Sequence, residues 1–261
     1  MNRMARLNSL LEILARDGRV SVEEAAERVG VSAATIRRDL DQLAQQQLLT
    51  RTRGGAVVNG VSYDLPLRYK TAKHAPEKQR IGSAAASLVP PGSVVGLNGG
   101  TTTTEVARVL ATRADLSSTA TGPALTVVTN ALNIANELTV RPHVKIVLTG
   151  GVARPQSYEL IGPLASAMLT NLSLDVAILG VDAIDVRTGA SAHHEGEASI
   201  NQLMASRARQ VMVVADGSKL GQRAFAQICP IEDIDIVVTD SGAPLEADAD
   251  FANAGVRLVR A

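Results

Sequence analysis

Tryptophan is absent from the 261 residues, and aromatic side chains make up only 2% of them. Without large rings there is no platform on which single-stranded bases could stack. The 46% hydrophobic content must therefore pack as Ala, Val, Leu and Ile. The single cysteine, Cys229, excludes an intrachain disulfide. No apolar run approaches the ~18 residues of a membrane span. The first residues also lack the apolar core of a signal peptide, so the expected setting is the cytoplasm, with no membrane partner. Net charge is missing too, with 26 Lys+Arg against 26 Asp+Glu. That balance hides an asymmetry: residues 1–80 hold 14 Lys+Arg against 9 Asp+Glu, whereas residues 81–261 hold 12 against 17. A basic N-terminal part on an acidic body indicates a DNA reader joined to something else. The length suits one small and one medium domain.

What is present is concentrated in Ser21 to Leu43. Ser21 and Glu24 have the spacing of a capping box. Val22, Ala25, Ala26 and Val29 then recur at helical spacing, and Gly30 stands where a helix would end in a left-handed residue. Ser32 is placed to cap a second helix, in which Ile36, Leu40 and Leu43 point inward together. Ala34, Arg38 and Asp41 face away from that stripe, with Thr35, Arg37 and Gln42 on its flanks. Before this pair, Met4, Leu7, Leu10, Leu11 and Leu14 mark a supporting helix ended near Gly18. After it, Leu48 to Thr52 and Ala56 to Val58 read as strands around Arg53-Gly54-Gly55, a hairpin turn. Residues 1–58 are thus expected to form a winged helix-turn-helix on double-stranded operator DNA. The expected DNA contacts are Ser32, Ala34, Thr35, Arg37, Arg38, Arg51 and Arg53: Arg38, with Ala34 and Thr35, is expected to meet base edges, and Arg37, Arg51 and Arg53 phosphates.

Residues 59–76, polar and bracketed by Pro66 and Pro76, read as a linker. From Glu77 onward a helical stripe (Ile81, Ala84, Ala85, Leu88) leads into short β-branched runs separated by helical stretches. The expected strands are Val94–Leu97, Leu125–Thr129, Val144–Thr149, Val176–Val181, Val211–Ala215, Ile236–Thr239 and Arg257–Val259. Continuous apolar strands alternating with helices indicate an α/β domain with a mostly parallel sheet covered on both faces, over residues 77–261. Ligands bind such sheets at the carboxyl ends of the strands. After Leu97 come Asn98-Gly99-Gly100-Thr101-Thr102-Thr103-Thr104, glycines and hydroxyls opening a helix, which is an anion site. It is not a Walker A loop, because no Lys-Ser/Thr follows the glycines. Later strand ends deliver Thr129-Asn130, Gly150-Gly151, Asp182, Asp216 with Lys219, and Asp240. Each aspartate alone reads equally well as a turn former or helix cap. Together the polar strand ends indicate a small polyhydroxy anion. Adjacent His193 and His194 do not point the same way and have no third partner at ligand spacing, so no metal is expected.

Thr35-Ile36-Arg37-Arg38-Asp39-Leu40 followed by Arg53-Gly54-Gly55-Ala56 resembles the signature of DeoR-type bacterial transcriptional regulators. Two positions depart from it: Gln47 stands where the family usually has glycine, and Arg53 where it often has histidine. Glu77-Lys78, Gly100-Thr101-Thr102-Thr103, Thr129-Asn130, Gly150-Gly151 and Asp216-Gly217-Ser218-Lys219-Leu220-Gly221 resemble the sensor domain of the same regulators. That domain is similar to the ribose-5-phosphate isomerase fold, and the resemblance implies a phosphorylated sugar as effector. Gly99 to Thr103 would hold the phosphate. Thr129, Asn130, Gly150, Gly151, Asp182, Glu197 and Lys219 would surround the sugar. The implied protein is a repressor of a sugar-catabolism operon, without a cofactor, working as a homodimer or homotetramer. Two alternatives stand beside it. One is a sugar-phosphate isomerase with an appended DNA-binding domain. The isomerases of this fold use a lysine after their aspartate-rich strand end, yet no lysine lies between Lys145 and Lys219, so no catalytic residue is assigned. The other is a DNA-binding adaptor with no ligand.

Overall fold

The computed structural model describes residues 3–46, 48–58, 67, 74–116 and 123–261. The chain divides into two compact units, Met1–Lys73 and His74–Ala261. Gln47 and most of the expected linker lie outside the described residues.

In the first unit, α1 (Arg3–Asp17) presents Leu7, Leu10, Leu11 and Leu14 to the core and ends at Gly18, whose φ of 72° is left-handed. A short strand that the sequence reading did not anticipate, β1 (Arg19–Ser21), leads into α2 (Val22–Val29) and then α3 (Ala33–Gln45). The hairpin β2 (Leu49–Thr52) and β3 (Gly55–Val58) pairs with β1 in the order β1-β3-β2, all antiparallel. The wing is thereby a three-stranded sheet tied to the start of the helix pair. Gly55 permits this tie. A Cβ there would stand 2.1 Å from the Val20 carbonyl oxygen across the ladder. Gly55→Ala is therefore expected to part β3 from β1 and cost about 1–3 kcal/mol, the range for overpacking, read as a lower melting temperature of the first unit by calorimetry.

In the second unit, α4 (Ala75–Ser87) starts inside the stretch expected to be linker. Pro76 falls in its first turn, where a missing N–H costs nothing. Then come β4 (Val94–Leu97), α5 (Thr101–Leu110), β5 (Leu125–Thr129), α6 (Leu132–Leu138) and β6 (Val144–Leu148). A small hairpin, β7 (Val152–Ala153) and β8 (Leu160–Ile161), precedes α7 (Pro163–Leu169) and β9 (Leu174–Gly180). After β10 (Ala183–Asp185), β11 (Gly189–Ala192) and α8 (Glu195–Ser206) follow β12 (Ala208–Val214), β13 (Ala226–Cys229), β14 (Ile236–Thr239), α9 (Ala247–Asn253) and β15 (Arg257–Arg260).

Seven of these strands make one parallel sheet in the order β15-β14-β12-β9-β4-β5-β6. They are the seven expected from the sequence. Both faces of the inner strands are covered, which is why those strands read as apolar runs. On β12, Val211 and Val213 join the core that holds Met204 and Phe251, whereas Met212 and Val214 join the core that holds Ile81 and Ile134. A separate antiparallel sheet, β10-β11-β13, completes the unit. From β4 the chain winds first to β5 and β6, then returns to the other side of β4 as β9. The carboxyl ends of β4 and β9 therefore form the switch point at which open α/β sheets admit ligands.

Candidate functional site

The first unit presents an exposed helix. Ser21 Oγ accepts from the Glu24 amide at 3.1 Å, and the Glu24 carboxylate turns to Arg28 at 2.6 Å. Gly30 closes α2 with φ 71° and its N–H on the Ala26 carbonyl. Ser32 Oγ accepts from the Thr35 amide at 3.3 Å and lies 3.0 Å from the Thr35 hydroxyl, so both side chains serve the start of α3. Ile36, Leu40 and Leu43 are fully buried, and Ala34, Arg37 and Arg38 are exposed on the opposite side. Arg37 stands 3.9 Å from exposed Glu23, a pairing worth little in water.

Arg51 departs from expectation. Its Nε donates to Asp41 Oδ1 at 2.8 Å and its Nη1 to the Gly55 carbonyl. It braces the wing against α3 instead of standing free for a phosphate. Arg53, at the hairpin turn beside Gly54 (φ 88°), is exposed. Asp39 was given no role by its place in the motif. It is 3% exposed in its side chain and receives both Arg6 Nε at 2.5 Å and Arg6 Nη2 at 3.2 Å.

In the second unit, Asn98 bridges the switch point. Its Nδ2 donates to the Gly180 carbonyl at 2.8 Å, and its Oδ1 accepts from the Gly180 amide at 2.8 Å. Gly100 is the N-cap of α5 and supplies no side-chain cap, so the amides of the first turn, at Thr101, Thr102 and Thr103, have no acceptor within the helix. The Thr103 and Thr104 hydroxyls turn back to the Gly100 carbonyl at 3.2 and 2.6 Å.

Beside this loop stands a residue that the sequence reading missed. Glu159, in the loop closing the β7–β8 hairpin, accepts from the Gly99 amide at 2.8 Å and from Asn130 Nδ2 at 3.3 Å. Its Cγ lies 2.3 Å from where a Cβ on residue 99 would be, so only glycine leaves it room. Burial first, then the charge of Glu197 and more weakly that of Asp182, push the Glu159 carboxyl up to about 8. The hydrogen bonds from Gly99 and Asn130 oppose that rise without cancelling it. Its ordinary value is 4.5. The stability contributed by the neutral group is therefore full below that value and is lost as the pH rises towards 8.

Glu197 pairs with Arg154 at 2.9 Å, both nearly buried. Asp182 Oδ2 accepts from the His193 amide at 2.9 Å. Gly99, Asn130, Asp182 and Glu197, expected around a ligand, are thus gathered about Glu159. Asn130 Oδ1 is buried without a hydrogen-bond partner among the described residues.

Other expected site residues serve the scaffold. The Thr129 hydroxyl is fully buried, donating to the Leu97 carbonyl at 2.6 Å and accepting from the Ala131 amide at 3.0 Å. The hydroxyl ties β5 to the neighbouring parallel strand β4. Gly150 and Gly151 have φ of 72° and 119°, and a Cβ on Gly151 would stand 2.8 Å from the Ile161 carbonyl oxygen. They turn the chain into the hairpin. Asp216 caps the 3₁₀ turn that carries Lys219. Burial opposes ionisation of Asp216, but Ser218, Lys219 and His74 outweigh it and hold the carboxyl below its usual range. Asp240 accepts the amides of Gly217 and Gly242 at 2.8 and 2.6 Å, as a loop former. His194 caps α8 through Nδ1, which accepts from the Gly196 amide at 3.1 Å. No group of three metal-ligating side chains occurs among the described residues, and no helix among them is long and apolar enough to cross a membrane.

A winged helix-turn-helix joined to a doubly wound α/β unit, with a glycine-rich loop and an uncapped helix start at its switch point, is the architecture of a DNA-binding transcriptional regulator. Residues 6–61 match the DeoR-like helix-turn-helix domain, and residues 73–241 match the DeoR C terminal sensor domain. The chain belongs to the DeoR family. It is 34% identical to the putative aga operon transcriptional repressor of Escherichia coli O157:H7, over 97% of this chain and 92% of that protein. It is also 34% identical to the glycerol-3-phosphate regulon repressor of Escherichia coli strain K12, over 94% of each. Among solved structures, ribose 5-phosphate isomerase A from Methanocaldococcus jannaschii is similar with a TM-score of 0.42 and 19% identity, over 57% of this chain and 55% of that one. As a member of this family the chain is a DNA-binding transcriptional regulator and not an enzyme, which sets aside the isomerase reading.

Proposed function

We propose that this protein represses a carbohydrate-catabolism operon and is released from its operator by a phosphorylated sugar. Residues 1–58 read the DNA, with Arg38, Ala34 and Thr35 over base edges and Arg37 and Arg53 on phosphates. Arg51 sets the angle of the wing. Residues 77–261 bind the effector and assemble the protein, in the cytoplasm, as a homodimer or homotetramer that reads two half-sites.

The observation that carries the effector reading is the uncapped start of α5 at the β4–β9 switch point. Free amides and the positive end of the helix meet there. The phosphate sits over Thr101 to Thr103. Asn130, Asp182, Glu197 and Lys219 offer acceptors and donors to sugar hydroxyls. The repressor names of the relatives, matched over both units, support this reading.

A ligand shifts occupancy only by its differential affinity for the two states, and full release of DNA needs about a 10⁴-fold difference. Mobility-shift titrations of operator DNA with glycerol 3-phosphate, glucose 6-phosphate, ribose 5-phosphate and galactosamine 6-phosphate test this. At least one is expected to release the DNA at micromolar to millimolar concentration. Indifference to the whole panel would favour the adaptor. Sedimentation of the free and DNA-bound protein reads the assembly.

A further inference from the structure

Glu159 is a fully buried carboxyl pressed onto the anion loop itself. It occupies the Gly99 amide, which opens that loop, at 2.8 Å. It faces Asn130 from the end of β5, Glu197 from α8 and Asp182 from the loop after β9. The nearby cation, Arg154, is engaged by Glu197. A dianion placed over Thr101 to Thr103 would add negative charge beside this group. An ionised Glu159 opposes such an anion, whereas a protonated one removes the repulsion and offers an O–H donor to a phosphate oxygen.

We propose that Glu159 is a proton-linked gate on the effector site: the phosphate binds to the form with a protonated Glu159, so binding to the ionised form takes up one proton from solvent. This rests on the switch-point reading of the effector site. The protonated form dominates free protein below about pH 8. Above that pH the gate would weaken binding tenfold per unit, or about thirtyfold between pH 7 and 9.5. A phosphate monoester stays dianionic over the whole of that range, because its second pKa is about 6.

The test is calorimetric titration of the full chain with the tightest-binding member of the phosphosugar panel, at pH 7 and 9.5, in paired buffers of unlike ionisation enthalpy. Close to one proton taken up at pH 9.5, little at pH 7, and a thirtyfold weaker Kd at the higher pH are expected. Glu159→Gln, neutral at every pH and still able to accept from Gly99, is expected to bind with less than threefold change across the range and with no uptake. Equal affinity at both pH values with buffer-independent enthalpy in the wild type would overturn the gate. So would a Glu159→Gln profile as steep as the wild type's, which would place the titration elsewhere. The wild-type proton count decides the matter even if the variant folds poorly. If no panel member binds at pH 7, the effector site reading itself fails, an outcome distinct from tight but proton-independent binding.

Discussion

Arg37→Ala/Arg38→Ala protein is expected to stay folded and to lose specific operator binding by a hundredfold or more. An arginine that reads guanine contributes about 1–3 kcal/mol of discrimination, and each 1.4 kcal/mol is tenfold in affinity. The phosphate contact of the second arginine adds to that loss. Both side chains are exposed on α3, and the Arg37–Glu23 pair at 3.9 Å is too loose to stabilise the fold. Calorimetry should therefore find the melting temperature within a degree or two of wild type. The single variants separate the roles. Arg38→Ala is expected to reduce operator binding far more than binding to random duplex. Arg37→Ala should weaken both together and lower the salt slope by about one. Specific binding retained by the double variant would remove α3 from the groove.

The parallel sheet was legible because its inner strands are buried on both faces and so appear as short apolar, β-branched runs, as in Leu125–Thr129 and Ile236–Thr239. The antiparallel sheet was not. Gly189–Ala192 and Ala226–Cys229 pair through small or polar residues, and their burial comes from tertiary packing that no local pattern records. In the first unit the caps at Ser21, Gly30 and Ser32 were readable, since capping needs only the residue and its spacing. The strand Arg19–Ser21 was not, because three residues carry no period.

The candidate sites divide in the same way. Gly99 to Thr103 announce themselves by composition at a strand end. Glu159 does not. A lone glutamate between Tyr158 and Leu160 reads as an ordinary loop residue, and its contact with Gly99 spans 60 positions. Thr129 stood at the right strand end, but the sequence could not say which way its hydroxyl turns. Arg51 illustrates the same limit: basic residues in a wing suggest phosphates, yet an acceptor ten residues earlier, Asp41, takes this one.

Asp39 is where fold and function meet, and Asp39→Ala is expected to destabilise the first unit strongly. The carboxylate is almost wholly buried between α1 and α3, with two guanidinium nitrogens of Arg6 upon it. Removing one partner of a buried pair costs about 3–5 kcal/mol, because the remaining charge is left without compensation. Arg6 keeps 14% of its side-chain exposure and can regain some water, so about 3 kcal/mol is the appropriate figure. In a unit of this size each kcal/mol lowers the melting temperature by about 4–8 °C, which puts the expected drop at 12 °C or more. Replacing both partners with apolar residues, Arg6→Met with Asp39→Leu, should restore much of the loss, since well-packed hydrophobic substitutes for ion pairs are often neutral. DNA binding should follow stability in the single variant, because the pair fixes the rotation of α3 one residue from Arg38. If Asp39→Ala melts like the wild type yet fails to bind DNA, the carboxylate orients the recognition helix without supporting the fold. If it melts like the wild type and binds normally, the ion pair has neither role.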